Sequence, residues 1–481
     1  MSNEIILAFI TYFSILLIIG LSAHRSQSTD ADFILGNRSL NFWLTALSAH
    51  ASDMSAWLFM AFPAALFTGG IPQIWVAVGL VLGMFLNWQI VAPRLRVETE
   101  RLNSYTLPTF FERRFHDHSG TIRLLTASVT VLFLTSYLSA GLIAMGLLFE
   151  SLFGIDYYIG ITVATLVAMT YTFVGGFITV AWTDLFQAIF LLVAILIVPL
   201  FALGHMEGLQ TVQKIAAQKE IPLTLLPEVS LGAFFNIVML IASWGLGYFG
   251  QPHIATKFMG IKSADELYKS KYLGVSWQIL ALAAAAFVGI VGIGFFPQGL
   301  ENAELVFVDM VKSLFHPYVG GLILCGIIAA NMSTMDSQML VCASVLTEDF
   351  YKRIKKQTPT PKTLLTVSRT FVVVVALTAL FLAYDKSSTV LEVVFYAWSG
   401  LGSAFGPLVL VSLYGGRYVN LYGAVVGILV GGLMVIGLWD WLQGFWGGEV
   451  PSLIPGFMLS LLSIFLVSYL SYDKPKSPAG K

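Results

Sequence analysis

The sequence is short of charge. Only 11% of its 481 residues are Asp, Glu, Lys or Arg, against about a quarter in soluble domains, and this shortage excludes an ordinary water-soluble fold. Cysteine is nearly absent. Cys325 and Cys342 lie in one apolar run without CxxC spacing, which leaves both as small core residues rather than a disulfide or a metal site. Neither sign of charge dominates, since 26 basic residues face 27 acidic ones for a net charge of -1. Nothing therefore points to nucleic acid as a partner. Long polar stretches are missing as well: the largest loops, about 94–123 and 205–230, are too short to hold a soluble catalytic domain.

What is present is apolar. Hydrophobic residues make up 57% of the chain and aromatics 14%, with mean hydropathy +0.81, the profile of an all-α polytopic membrane protein whose partner is the lipid bilayer. A bilayer core of about 30 Å needs about twenty apolar residues per helix. Thirteen such runs can be drawn, at about 4–23, 40–69, 73–93, 124–152, 155–174, 179–204, 231–250, 272–296, 315–347, 364–384, 389–414, 419–439 and 452–472. Basic residues are retained on the cytoplasmic side of short loops. An outside N-terminus and a cytoplasmic C-terminus place all the basic residues inside except Lys214, Lys219, Lys312 and Lys386. The first run lacks a basic n-region and a small-residue cleavage site, so it is expected to stay as a membrane helix. In the loop at LPTFFERRF (Leu107 to Phe115), apolar and basic residues stand together, which suits a short helix lying on the membrane surface.

Two spans carry the wrong chemistry for hydrocarbon. SAHASDMSAW (Ser48 to Trp57) puts a histidine, an aspartate and three serines at membrane depth, and SWGLGYFGQPHI (Ser243 to Ile254) holds three glycines and a proline. Freed backbone carbonyls are tolerated there only where protein or a watery cavity satisfies them. Broken helices at matching places in two successive five-span sets are the mark of an inverted-repeat transporter with its site near the midplane. Intramembrane acids cost about 2.5 to 3.5 kcal/mol on insertion scales, so Asp53, Asp184 and Asp336 need a reason. Asp53 is read either as a partner of freed N–H groups at the break or as a ligand group, and Asp184 as a ligand or the marker of a span's inner end. In AANMSTMDSQM (Ala329 to Met339), Ser333, Asp336 and Ser337 share a helix face with Thr334 beside them. Four oxygen-bearing side chains in five positions suit a hard cation; interhelical hydrogen bonding is the competing reading.

Together with GGFITVAWTDLFQ (Gly175 to Gln187), AANMSTMDSQMLVCASVLTEDFY (Ala329 to Tyr351) and AWSGLGSAFGPLVL (Ala397 to Leu410), these motifs resemble the sodium/solute symporter family, most closely its proline branch, over nearly the whole chain. The resemblance implies a LeuT-like core of ten helices at about 38–414, built from five-helix repeats at about 38–205 and 230–414. An extra helix would precede it within 1–37, and two helices and a tail would follow within 415–481. It implies sodium on the carbonyls of Ala51, Met54 and Ala330 and the hydroxyls of Ser333 and Thr334. Some members hold a second sodium, at positions matching Asp184, Ser333, Asp336 and Ser337. Substrate contacts would fall on Ser55, Trp57, Tyr137, Trp244, Tyr248 and Pro252.

The pocket chemistry is compatible with that. No Lys or Arg is expected deep in any span, which disfavours an anionic sugar acid, and amide side chains are sparse near the breaks, which disfavours a neutral sugar. Aromatic walls with a few polar groups suit a small, largely apolar zwitterion such as proline. Another small amino acid or carboxylate is the alternative within the class; a membrane sensor or channel is the alternative outside it. An enzyme is disfavoured by the lack of a nucleophile–base pair or metal-ligand spacing. Oligomeric state is not legible.

Overall fold

The computed structural model describes residues 3–23, 30–174, 176–354, 359–444 and 450–472. Within them the chain is helical, with one isolated backbone bridge between Leu40 and Ile261 and no strand. The principal helices are α1 (Asn3–Ala23), α2 (Phe42–Asp53), α3 (Ala61–Gly69), α4 (Ile74–Leu86), α5 (Thr121–Phe153), α6 (Tyr157–Val174), α7 (Phe177–Gly204), α8 (Leu231–Gly245), α9 (Pro252–Met259), α10 (Leu267–Phe295), α11 (Pro317–Val345), α12 (Pro361–Leu382), α13 (Val390–Tyr414), α14 (Leu421–Leu433) and α15 (Leu453–Leu470). Eleven helical spans among the described residues are long and apolar enough to cross a bilayer. The stretches Ala56–Gly69 and Tyr157–Thr170 are apolar but shorter, so length alone does not return all thirteen expected spans.

Both expected breaks are present, and local chemistry makes them. α2 is started by Asn41, whose side chain accepts the Leu44 N–H at 3.0 Å, the usual N-cap arrangement. It ends at Asp53 because Met54 leaves helical geometry (φ -89°, ψ 74°). The Ser55 N–H then turns to the Asp53 carbonyl at 3.2 Å, so the Ala51 carbonyl loses its i+4 helical partner. A 3-10 turn at Ala56–Leu58 leads into α3. In the second break, α8 tightens into a 3-10 stretch at Leu246–Gly250, Gln251 is extended, and Pro252 opens α9. Proline lacks an N–H, forces its predecessor out of helical geometry and is well placed at a helix's first turn.

α11 is the axis of the molecule, buried at every position from Ile323 to Val345 and packed on α1, α2, α5 and α7. α14 and α15 pack on each other and on α13 at the periphery. α1 turns Leu7, Ile10, Leu17, Ile18 and Leu21 outward, as a lipid-facing helix does. The start of α2 and the end of α9 are tied together: the Leu40 N–H donates to Gly260 O at 3.1 Å and the Lys262 N–H to Leu40 O at 2.8 Å. Arg38 adds a guanidinium bond to Met259 O at 2.7 Å. α4 and α8 touch backbone to backbone, since a Cβ on Gly83 would lie 2.2 Å from Gly245 O. LPTFFERRF does form a helix, Leu107–Arg114, but Leu107 to Phe111 are buried against α5. It is a packed strut rather than a float on the surface.

Candidate ion and substrate site

The carbonyl freed at the first break meets the hydroxyl pair of α11. Ser333 Oγ donates to Ala51 O at 2.8 Å and also reaches Ala330 O at 3.0 Å. Thr334 Oγ1 lies 3.4 Å from Ala51 O and 3.1 Å from Ala330 O. Four of the five oxygens expected to hold sodium therefore converge, all buried. Met54, the fifth, is the first residue outside the helix, and only its N–H is still tied back, to His50 O at 3.1 Å. Every donor in the set is a neutral oxygen. Rotation of the two hydroxyl hydrogens turns the same four oxygens from mutual hydrogen bonding to facing a hard cation.

The acids lie just beyond, and here the structure corrects the expectation that no Lys or Arg lies deep in a span. Lys257 was expected in an inner loop; α9 carries it inward, where it is buried and its Nζ lies 3.0 Å from Asp184 Oδ2. Ser48 Oγ donates to the same oxygen at 2.6 Å. Ser337 is bonded to Ser52 at 2.8 Å between hydroxyls, and Asp336 Oδ1 accepts from Thr172 Oγ1 at 2.7 Å. Asp184, Ser333, Asp336 and Ser337 are thus all buried; Asp184 and Ser337 share Ser52 as a neighbour, while Ser333 and Asp336 are engaged with Ala51 and Thr172. Lys257 was missed because six residues after a broken helix read as a loop; the signal was Pro252, which starts a helix rather than ending one.

The aromatic residues assemble as a wall at both breaks. Trp57 and Trp244 have ring centroids 5.9 Å apart, and Trp398 stands edge-on to Tyr248 at 4.9 Å while its indole N–H donates to Trp244 O at 3.2 Å. Gly247 is obligatory beside it, because a Cβ there would lie 1.9 Å from Trp398 Nε1. Ser55, Trp57, Tyr137, Trp244, Tyr248 and Pro252 are all buried. The Tyr137 hydroxyl lies beside Ser55 and Trp57 without a hydrogen bond of ordinary geometry. Asp53 is no free ligand group: Tyr248 OH donates to its Oδ2 at 2.5 Å, which pins the first break to the second.

Amides are not sparse at the breaks, contrary to the sequence reading. Gln278 donates to Tyr248 OH at 2.7 Å, Asn87 to Tyr248 O at 3.1 Å, and Gln251 to Gly247 O at 3.0 Å. Two come from α10 and the end of α4, distant in sequence, and so gave no local signal. All three spend their N–H groups on the protein, while Gln251 Oε1 and Gln278 Oε1 are buried without a partner.

The family model described as "Sodium:solute symporter family" matches residues 33–431. The chain belongs to the sodium:solute symporter family. It is accordingly a secondary active transporter and not an enzyme. Among similar proteins, "High-affinity proline transporter PutP" of Bacillus subtilis is 41% identical, covering 95% of this chain and 96% of that protein. "Sodium/proline symporter 2" of Staphylococcus saprophyticus is 40% identical over 95% of this chain and 91% of that protein. A solved Na+-coupled sialic acid symporter superposes with TM-score 0.82 at 18% identity, covering 98% of each chain. The nucleobase-cation symporter Mhp1 does so at 0.59 and 14% identity over 92% of this chain and 96% of that one. At such identities the two structures speak for the fold alone, and it is the LeuT-like one.

Proposed function

We propose that this symporter takes up L-proline with sodium by alternating access across the plasma membrane. The observation that carries the ion half is the Ala51 carbonyl, released by the first break and met by the Ser333 and Thr334 hydroxyls. The substrate half is supported by the similarity to proline transporters and by the aromatic wall of Trp57, Trp244 and Tyr248. On this reading Ala51, Met54, Ala330, Ser333 and Thr334 hold sodium. Ser55, Trp57, Tyr137, Trp244, Tyr248 and Pro252 surround a small zwitterion, and Asp53 couples the two breaks through Tyr248 rather than binding either solute.

Sodium bound between α2 and α11 stabilises the arrangement that accepts substrate, and the two five-helix repeats, about 38–205 and 230–414, then rock against each other. In this reading the thirteen spans include the broken pairs α2/α3 and α8/α9 as single crossings, with the N-terminus outside and the C-terminus cytoplasmic. In a Gram-negative source the membrane would be the inner one. One sodium moving down about 100 mV supplies about 2.3 kcal/mol and a tenfold concentration ratio about 1.4. Together these sustain a solute gradient of about 500-fold.

The test is uptake into proteoliposomes under imposed sodium or proton gradients, with labelled proline competed by a panel of amino acids and carboxylates. Accumulation driven by protons alone, or a panel member that outcompetes proline, would overturn the ion or the solute. Uncoupled, non-saturating flux would point to a channel.

A further inference from the structure

Lys257 is a cation that the fold brings into the acid layer. Its Nζ lies 3.0 Å from Asp184 Oδ2 and 5.2 Å from the centre of the Phe177 ring, and both members of the ion pair are buried. Four helices meet there: α9 supplies Lys257, α7 Asp184, α2 Ser48 and Ser52, and α11 Ser337. Ser48 donates to the carboxylate oxygen that the ammonium contacts, and Ser52 Oγ, 3.4 Å from it, links it to Ser337 at 2.8 Å. Hydroxyls and a carboxylate around a monovalent positive charge are what a sodium ion would ask of the same residues.

We propose that the Lys257 ammonium is the resident occupant of the second cation position, so that the carrier couples one sodium per solute molecule. The inference rests on the sodium-coupled reading above. A buried ion pair is stable only when its geometry is good and its remaining lone pairs are met; the ammonium and the Ser48 hydroxyl meet those of Asp184 Oδ2. A second free cation beside Lys257 would stand against the ammonium's charge in a low-dielectric layer, where like charges repel strongly. With the lysine removed, Asp184 Oδ1 and Asp336 Oδ2, both buried without a partner, are left to an ion beside the bonded hydroxyls of Ser52 and Ser337.

The experiment measures reversal potentials of solute-coupled current or flux in proteoliposomes, using whichever solute the uptake panel identifies, so that a wrong substrate does not count against the proposal. The wild-type protein is expected to move one sodium per solute; a ratio of two overturns the proposal. Lys257→Met is expected to raise that ratio to two. Its sodium activation should change from hyperbolic to sigmoidal, with a Hill coefficient rising from about 1 toward 2. Its limiting solute gradient should rise about 500-fold, the equivalent of one further sodium. Lys257→Arg is expected to keep the ratio of one. A Lys257→Met carrier that still moves one sodium refutes the role. Should that variant fail to reach the membrane, Lys257→Met with Asp184→Asn removes both charges and is expected to restore uptake at one sodium per solute. A pair as defective as the single variant overturns the proposal.

Discussion

Two pockets about one turn apart along α11 treat positive charge in opposite ways. At Ser333 and Thr334 the donors are hydroxyls and carbonyls with no formal charge. At Asp184 a carboxylate is already paired with a lysine. A cage of neutral oxygens suits a cation that must arrive and leave in every cycle, since desolvation and coordination nearly balance. A carboxylate–ammonium pair in a buried layer is a structural commitment, because removing one partner leaves the other without compensation. On the proposed reading the contrast separates a site built for exchange from one built for retention, although Ser337 of one and Ser333 of the other are a single turn apart.

The largest effect should come from breaking the retained pair on its acidic side. Asp184→Ala leaves the Lys257 ammonium buried and unpaired, a loss of about 3–5 kcal/mol in comparable buried pairs. The variant should unfold in detergent well below the wild-type temperature, and added sodium should not restore it. A wild-type Tm would mean that the pair carries no stability. Lys257→Met is the mirror case: its defect should be reduced by sodium, because a free cation can replace the lost one. An equal response of both variants to sodium would erase the distinction between the pockets.

Breaking the exchanging site should cost function rather than fold. Ser333→Ala with Thr334→Ala removes two hydroxyls whose contributions are about 1 kcal/mol or more each. The sodium concentration for half-maximal uptake should therefore rise about 10- to 100-fold, with the Tm in low sodium little changed. Wild-type sodium activation in that double variant would remove these residues from the ion path. A smaller loss is expected from Tyr248→Phe, which deletes the bond to Asp53 and leaves the Gln278 amide without its acceptor. Solute affinity should fall about 5- to 10-fold, measured by equilibrium binding, while sodium activation stays put.

The two pockets also differ in how far the sequence disclosed them. The proposed exchange site was legible in part: a polar run that stops a helix and the adjacent hydroxyls of Ser333 and Thr334 stand out locally, whereas the carbonyls of Ala51, Met54 and Ala330 entered only through the family resemblance. That the Ala51 carbonyl loses its i+4 partner and is met by Ser333 instead is seen only in the structure. The retained site was half legible. Asp184, Asp336 and Ser337 stood out as polar groups at membrane depth, but Lys257 sits close enough to Lys262, Lys269 and Lys271 to be counted with an inner loop. Its burial is a tertiary fact, set by α9 folding back under α2 through the Leu40–Gly260 bond. Asn87 and Gln278 were invisible for the same reason: each lies on a different helix from its Tyr248 partner. The Leu107–Arg114 helix was foreseen in type and misplaced in depth, since an amphipathic pattern does not say whether lipid or protein covers the apolar side.

A further acid, outside the spans, sharpens the comparison, because burial and two backbone N–H groups surround it instead of an ammonium. Glu304, in the segment between α10 and α11, is largely buried and accepts the Val390 and Leu391 N–H groups at 3.4 and 3.3 Å. These are the unpaired donors at the start of α13, where a negative charge is favoured. Burial nevertheless wins: it pushes the Glu304 carboxyl above its ordinary value of 4.5, against the lowering effect of those two N–H groups, and the nearby Glu392 adds to the rise. A carboxyl whose folded pKa exceeds its unfolded one binds a proton more readily in the folded state. Its contribution to stability is therefore greatest below the ordinary glutamate range and declines as pH rises from 4.5 through the raised folded value. Glu304→Gln removes the titration while keeping one acceptor oxygen for α13. Thermal unfolding across about pH 4 to 8 should show a flatter curve for the variant, with the gap closing toward the acid end and reaching about 1–2 °C at neutral pH. Parallel curves would show that the helix N-terminus alone meets the charge of Glu304, and that burial without a lysine carries no penalty at that position.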